Sequence, residues 1–316
     1  MVAIAQCAAG NERRRATRAT PPGFSVPGRA LLVGALPLLA ACVTLTVDPR
    51  ALIYEPPGIR VQALGCPAAA QAARSAMSAG NAGGKDALDP GAIRILTWNI
   101  HKEGDEGWQQ DLARFAGSSD LLLLQEAMLL DSLQDVLRRA GLRWVMASSF
   151  IIDSADIGVL TATRTIPVAN CTQRFVEPLI QLPKSAVITW LPLAGTTRTL
   201  AVANVHAINF TLSTGSYRAQ LTALADVLAD HEGPIVLGGD LNTWTGDRAR
   251  VVRETAARLG MVEVTFAEDG RTRFLGNEVD HILVRGLDVV ASRAVAVMSS
   301  DHNPVEVVLR LARQPD

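Results

Sequence analysis

The chain has 316 residues and a formal net charge of −1, enough for one domain with a sizeable core plus appendages. That near-neutral total hides an asymmetry: residues 91–316 carry 21 Lys+Arg against 26 Asp+Glu, a net −5, and residues 1–90 carry 9 against 5, a net +4. A domain of net −5 lacks the broad basic footprint of a tight nucleic-acid binder, although a local basic patch stays open.

The first segment reads as targeting. Arg13, Arg14, Arg15, Arg18 and Arg29 precede the apolar stretch ALLVGALPLLAACVTLTV at 30–47, a charged region followed by a hydrophobic one. Leu39-Ala40-Ala41-Cys42 is similar to a bacterial lipobox, which implies cleavage before Cys42 and lipidation of it. Three readings stand: a lipoprotein, an uncleaved membrane anchor, or a soluble chain whose start is mis-assigned. Either of the first two puts the domain in the cell envelope, attached to a membrane; the lipoprotein places it outside the cytoplasm. Pro37 interrupts an 18-residue run that is already at the short limit for spanning. Removing Cys7 and Cys42 with the signal leaves Cys66 and Cys171, which either pair in an oxidising compartment or stay free, Cys171 half-buried in a strand.

Residues 48–90, with Pro56-Pro57-Gly58 and AMSAGNAGGKDALDPG, are expected to form a flexible linker with little fixed structure. The domain, 91–316, begins at IRILTWNI. Helices are expected at 106–117, 131–141 with Asp131 as cap and Gly141 as stop, 214–231, and 247–260 ended by Gly260. Strands are expected at 120–125, 143–148, 157–162, 166–171, 185–192, 197–206, 234–240, 279–284, 288–297 and 304–311. Strands outnumber helices and come partly as hairpins, partly with helical crossovers. That mixture predicts packed α/β layers with mixed sheets. There is no internal repeat and no nucleotide-binding glycine fingerprint.

Five polar islands carry the chemistry: Trp98-Asn99, Gln125-Glu126, Asn204-Val205-His206, Gly239-Asp240-Leu241-Asn242 and Ser300-Asp301-His302-Asn303-Pro304. Four follow directly on apolar runs that read as buried strands, so each run delivers Asn, Glu, His or Asp at one sheet edge. Glu126, Asp240 and Asp301 border apolar segments, where an unpaired carboxylate is costly. A hard cation such as Mg²⁺ would compensate them, because it takes oxygen ligands and few carboxylates. Zinc is disfavoured by the absence of a close His/Cys ligand pair. Taken singly, each acid could instead cap a helix or pair with an arginine.

Asp280-His281 and Asp301-His302 lie near the ends of neighbouring strands. An aspartate that accepts from an imidazole fixes its tautomer and favours imidazolium, which stabilises negative charge on a phosphoryl group. His206 could be a second donor. His101 and His231 read as structural, and His281 points away if Asp280 points in, since strand neighbours alternate. Arg271 and Arg273 could reach a phosphate but read better as a solvated loop. The tryptophans read as packing, with Trp244, beside Asn242, the one to watch.

Asn99, Gln125-Glu126, His206, GDLN at 239–242, Asp280 and SDHNP at 300–304 resemble, in order, the motifs of the endonuclease/exonuclease/phosphatase superfamily (DNase I-like) over about 91–311. HAINF at 206–210 and PKSA at 183–186 are most similar to its YafD-like branch. The resemblance implies a four-layer α/β sandwich with two facing β-sheets and helices outside. It implies that Glu126, with Asn99 and Asp301, binds Mg²⁺ (Mn²⁺ being possible). Asp240 would orient or deprotonate the attacking water and Asn242 would position it. His302, held by Asp280, and His206 would contact the phosphate. Some members place a tyrosine near the phosphate ahead of the His motif; Tyr217 lies after it and inherits no role. A monomeric metal-dependent phosphodiesterase is expected, with a nuclease-like substrate slightly ahead of a phospholipid, as in sphingomyelinases, or a phosphomonoester. A lipid-tethered binding module without turnover is the alternative of another class.

Overall fold

Seven residues, Ile93–Asn99, form a strand buried along almost its whole length, because IRILTWN has nothing but Arg94 to offer solvent. It belongs to a computed structural model that describes residues 43–45, 50–62, 65–78, 86–211 and 213–313. The Cys42 lipidation motif and most of the targeting segment lie outside the described residues. Among the described residues no helix is long and apolar enough to cross a membrane.

In chain order the first elements are β1 (Val43–Thr44), β2 (Ala51–Glu55), β3 (Gly58–Gln62), α1 (Cys66–Ser78) and β4 (Ile93–Asn99). After a short 3₁₀ turn at His101–Glu103 come α2 (Trp108–Ser118), β5 (Leu121–Met128), α3 (Asp131–Arg139), β6 (Arg143–Ile152), β7 (Ala155–Thr163), β8 (Ala169–Val176) and β9 (Pro183–Pro192). The second half holds β10 (Thr199–His206), α4 (Gly215–Leu228), β11 (Ile235–Asp240), α5 (Gly246–Leu259), β12 (Val262–Glu263), β13 (Arg273–Phe274) and β14 (Asn277–Glu278). It closes with β15 (Asp280–Arg285), β16 (Leu287–Ala294) and β17 (Val305–Leu311).

These strands build two large mixed sheets. One has the order β16-β17-β4-β5-β7-β6-β2-β3 with β1 added to β6; the other runs β12-β15-β11-β10-β9-β8. Ile95, Leu121 and Leu123 of the first meet Val202, Val236 and Ile282 of the second in the core between the sheets. Outside the first sheet, Leu112, Phe115, Leu133 and Leu137 of α2 and α3 pack on Trp98, Leu122 and Trp144. Outside the second, Ala69 and Ala73 of α1, Leu221 and Leu224 of α4 and Val251 of α5 pack on Ile188, Ala203 and Leu237. The result is four layers, helix–sheet–sheet–helix, as expected.

The described residues within 48–90 depart from the expected linker. β2 pairs with β6, Tyr54 stacks on Trp144 with ring centroids 4.0 Å apart, and α1 is bonded to β8 through the Cys66–Cys171 disulfide. The alanines read as flexible are strong helix formers, and Ala69 and Ala73 are small enough to bring α1 flat against the sheet. Cys171 is fully buried rather than half-buried. Smaller corrections concern ends. Asp131 is the first residue of α3, not its cap, which is Leu130; there its charge favours the helix N-terminus. The strand expected at 166–171 runs from Ala169 to Val176, and the one expected at 288–297 stops at Ala294.

Candidate active site

β4 and β5 run parallel, as do β10 and β11, with β15 antiparallel to β11. Asn99, Glu126, His206 and Asp240 therefore sit at the carboxyl ends of their strands, and Asp280 at the amino end of its own, all at one edge of the sandwich. Two local distortions aim them. Register slips between Leu124 and Ala127, and Glu126 in that bulge has φ +51°; Asn242 has φ +49°. A glutamate in the left-handed region is held there at a cost of roughly 1–2 kcal/mol, strain of the kind that gathers at functional sites. Gly239 has φ +141°, and a Cβ there would stand 2.0 Å from the Val205 carbonyl oxygen, so only glycine fits beside β10.

Asp240 is the hub. Its Oδ2 accepts from Asn99 Nδ2 at 3.1 Å and lies 3.3 Å from His206 Nε2 and 4.0 Å from His302 Nε2; its Oδ1 accepts from the Asn242 amide at 3.0 Å. Burial works against the charge, yet the imidazoles of His206 and His302 hold this carboxyl well below the usual range. His302 Nδ1 lies 2.8 Å from Asp280 Oδ2. Burial opposes protonation of that ring, but the charges of Asp280 and Asp240 outweigh it and push the imidazole up to about 10. His302 is further fixed from behind, its carbonyl accepting from Trp98 Nε1 at 2.9 Å and its amide donating to Ser300 Oγ at 3.1 Å.

Glu126 faces this group across the seam between the sheets. Burial raises its pKa, but His206, Lys184 and Lys102 together bring it down to about 2. Lys102 Nζ bonds its Oε2, while Lys184 Nζ and His206 Nε2 each lie 3.8 Å from Oε1. Lys184 Nζ also sits 2.7 Å from His206 Nε2. This part-buried carboxylate and the Asn99 side-chain oxygen are the kind of oxygen donors that could hold Mg²⁺. Among the described residues no three His, Cys, Asp or Glu cluster as a cage, so water would complete the coordination of any ion here. Asp301 stands at the rim, 61% exposed, with Oδ1 3.9 Å from His101 Nδ1.

The structure thus brings Asn99, Glu126, His206, Asp240, Asn242, Asp280 and His302 together, with Asp301 at the edge. Gln125 and Asn204 stand behind them, Gln125 Nε2 donating to Asn204 Oδ1 at 2.7 Å across the sheets. His281 turns away, 2.7 Å from Glu263 and 2.5 Å from Thr243 Oγ1, and buried His231 lies 3.1 Å from the Thr199 carbonyl. His101, read as structural, reaches the rim beside Asp105 and Asp301. Arg271 lies in no solvated loop: it is buried, pairs with Asp269 and Glu263, and donates to the Asp280 carbonyl at 3.2 Å. Trp244 Nε1 donates to Asn209 Oδ1 at 2.8 Å and its ring meets Phe274 edge-on.

Sequence reading gave no role to Lys102 or Lys184: Lys184 stands in the PKSA segment that resembles the branch, but a single lysine there or in the loop after Asn99 does not by itself indicate a site. It also missed Glu177 and Arg248. Glu177 is fully buried and accepts from the amides of Asn209 and Phe210 at 2.5 and 3.2 Å. Arg248 donates to the carbonyls of Ile208 and Asn242 at 2.8 and 3.1 Å, tying the loop after His206 to the loop after Asp240.

A helix–sheet–sheet–helix sandwich with an acid–histidine cluster at the strand ends defines the DNase I-like class of phosphoesterase folds. The profile of the Endonuclease/Exonuclease/phosphatase family matches residues 96–302, and the chain belongs to that family, whose members include nucleases and phosphatases. A "UPF0294 protein" of Vibrio campbellii is 38% identical over 227 residues, covering 71% of this chain and 79% of that one. One from Klebsiella pneumoniae is 35% identical over 218 residues, covering 68% and 81%. These relatives place the chain in the YafD-like branch. Among solved structures, the human Nocturnin catalytic domain with bound sulfate has a TM-score of 0.57 at 18% identity, covering 72% of this chain and 96% of that one. An endonuclease/exonuclease/phosphatase of Beutenbergia cavernae has a TM-score of 0.54 at 18% identity, covering 70% and 72%.

Proposed function

We propose that this chain is a divalent-metal-dependent phosphodiesterase that hydrolyses its substrate by direct attack of water. The observation that carries the reading is the charge pattern around Asp240: an ionised, fully buried carboxylate set between two imidazoles, facing Glu126 across the site. Glu126 and Asn99, with Asp301 at the rim, would hold Mg²⁺ or Mn²⁺, which supplies Lewis-acid polarisation of a phosphoryl oxygen when bound.

The residues divide the remaining work. Asp240 accepts a proton of the attacking water and orients its lone pair; the Asn242 amide and Asn99 fix that carboxylate. His302, kept as imidazolium by Asp280, donates to the oxygens on which charge grows in the pentacoordinate transition state. Lys184 adds positive cover from the other sheet, with His206 Nε2 beside it at 2.7 Å. No covalent enzyme intermediate is needed, because a positioned water and donors aimed at the developing charge supply the terms that in-line hydrolysis requires.

A monomer is part of the same proposal. The Cys66–Cys171 disulfide supports a domain outside the cytoplasm, because such bonds persist in oxidising compartments. Attachment to the membrane through the segment around Cys42 belongs to the same proposal.

The test is hydrolysis of bis-p-nitrophenyl phosphate with Mg²⁺, with Mn²⁺ and with EDTA, alongside Asp240→Ala. Turnover that requires metal and falls at least ~100-fold in the variant is expected. A variant as active as the wild type would remove Asp240 from the mechanism.

A further inference from the structure

A cavity of about 150 Å³ opens beside the catalytic cluster. Its polar end is Lys102, Glu126, Lys184 and His206; its walls include Phe150, Ile157, Ile180, Leu182, Pro183 and Phe210. Of the other polar side chains lining it, Ser149 bonds Ser185 at 2.7 Å, and Glu177 binds the loop amides through Oε1 while its Oε2 has no hydrogen-bond partner. A basic end and an apolar wall match an amphiphile with an anionic phosphate and an apolar body.

The surface around this opening carries the same signature. Leu179, Ile180 and Phe210 on one side, and Phe274, Leu275 and Met298 on the other, are 43–93% exposed, all on segments that emerge at the catalytic edge of the two sheets. Exposed apolar side chains gathered at one face mark an interaction surface.

A third observation concerns the entry of the chain. β1 pairs with the end of β6, Val43 opposite Ile152 and Thr44 opposite Ile151, next to Phe150 of the cavity wall. Cys42 is the residue before Val43, so an anchor attached there would leave the domain at the catalytic edge and not at the opposite one.

The geometry points to a membrane-facing active site: the apolar rim docks on a lipid bilayer, and a phospholipid whose acyl chains stay in that bilayer lays its phosphate on Lys102, Lys184, His206 and His302 at the mouth of the cavity. The inference rests on the phosphodiesterase reading. In the step, a water oxygen bonds to phosphorus, one phosphorus–oxygen ester bond breaks, and the water's proton ends on the departing alcohol. A phosphomonoester and an alcohol result, with no change of oxidation state.

The test uses the full chain reconstituted into phosphatidylethanolamine/phosphatidylglycerol vesicles. Wild type is compared with Leu179→Ser and with Leu275→Ser, two side chains outside the cavity lining and exposed enough to spare the core. Three substrates are read: vesicle lipid, bis-p-nitrophenyl phosphate and plasmid DNA. The expected result is that wild type cleaves vesicle lipid, and that the rim variants lose at least tenfold there while keeping their rate on the soluble diester within twofold. A second readout is quenching of Trp244 by brominated lipid, taken as the difference between wild type and Trp244→Phe; quenching is expected. Rim variants that keep vesicle activity, or an unquenched Trp244, overturn the docking face. Cleavage of the soluble diester or of DNA with vesicle lipid untouched overturns the lipid substrate and leaves the phosphodiesterase reading intact. Silence on all three substrates removes that reading and this inference with it.

Discussion

Nδ1 of His302 and Oδ2 of Asp280 lie 2.8 Å apart, joining the loop before β17 to the first residue of β15 in the other sheet. The contact keeps the imidazole charged far above its ordinary range, to about 10. Because the folded-state pKa exceeds the ordinary 6.5, this group's contribution to stability is fully present below about pH 6.5 and is lost as pH rises through about 10. The rate on a soluble diester should hold across the neutral range and fall above about pH 10. Asp280→Asn should move that alkaline limb towards neutral pH, and His302→Gln should lower the rate about 100- to 1,000-fold. Rate profiles of the three proteins check this; an unmoved limb in Asp280→Asn would detach His302 from it.

Glu126 is the expected metal ligand set among basic side chains, with Lys102, Lys184 and His206 around it. Glu126→Gln keeps the shape and removes the charge, so half-activation should require at least ~10-fold more Mg²⁺, with the far-UV circular dichroism of the wild type retained. Titration of activity against metal checks it, and an unchanged midpoint would assign the ligand elsewhere. In the absence of metal the variant leaves Lys102 without its partner.

The Cys66–Cys171 bond has a sequence separation of 105 residues. Loop closure of that length constrains the unfolded chain by up to about 4.7 kcal/mol, an upper figure that native packing reduces. Cys66→Ala with Cys171→Ala should therefore lower Tm by several degrees, while activity at 25 °C stays near wild type because neither sulfur touches the site. Thermal unfolding of oxidised, reduced and double-variant protein tests this; three equal Tm values would rule the bond out as a stabiliser.

At Gly239 a Cβ would collide with the Val205 carbonyl on the neighbouring strand, in a conformation L-residues rarely adopt. Gly239→Ala should shift β11 or His206 and cut the rate by at least ~100-fold, since misplacement near 1 Å is enough. Gly246→Ala, where a Cβ meets nothing within 4 Å, is the control. Comparable rates for the two variants would show that the site tolerates the displacement.

The site was legible where chemistry coincides with a buried strand end. Asn99, Glu126, His206 and Asp240 each close an apolar run, and burial leaves a polar residue there little purpose other than function or pairing. Lys102 and Lys184 were not legible: their meaning comes from Glu126, which is 24 residues from Lys102 in the chain and adjacent to it only in space. The same holds for α1. Ala69 and Ala73 look like a flexible tract in a row of small residues, and only the flat face of β8 gives them something to pack on. The facing of the two sheets was expected from the family motifs; the sequence pattern by itself yields layers without saying which strand lies opposite which.

Asn99 and Glu126 hang from one sheet; His206, Asp240 and Asp280 hang from the other. The Asn99–Asp240 and Gln125–Asn204 hydrogen bonds cross between them at 3.1 and 2.7 Å. The polar cluster at the strand ends is therefore a gauge of the gap between two slabs, set by the volumes of Leu123, Val202, Val236 and Ile282 beneath it. A methylene gained or lost in that filling changes the gap at the rim, so side chains that never meet a substrate still tune the reaction through thickness alone.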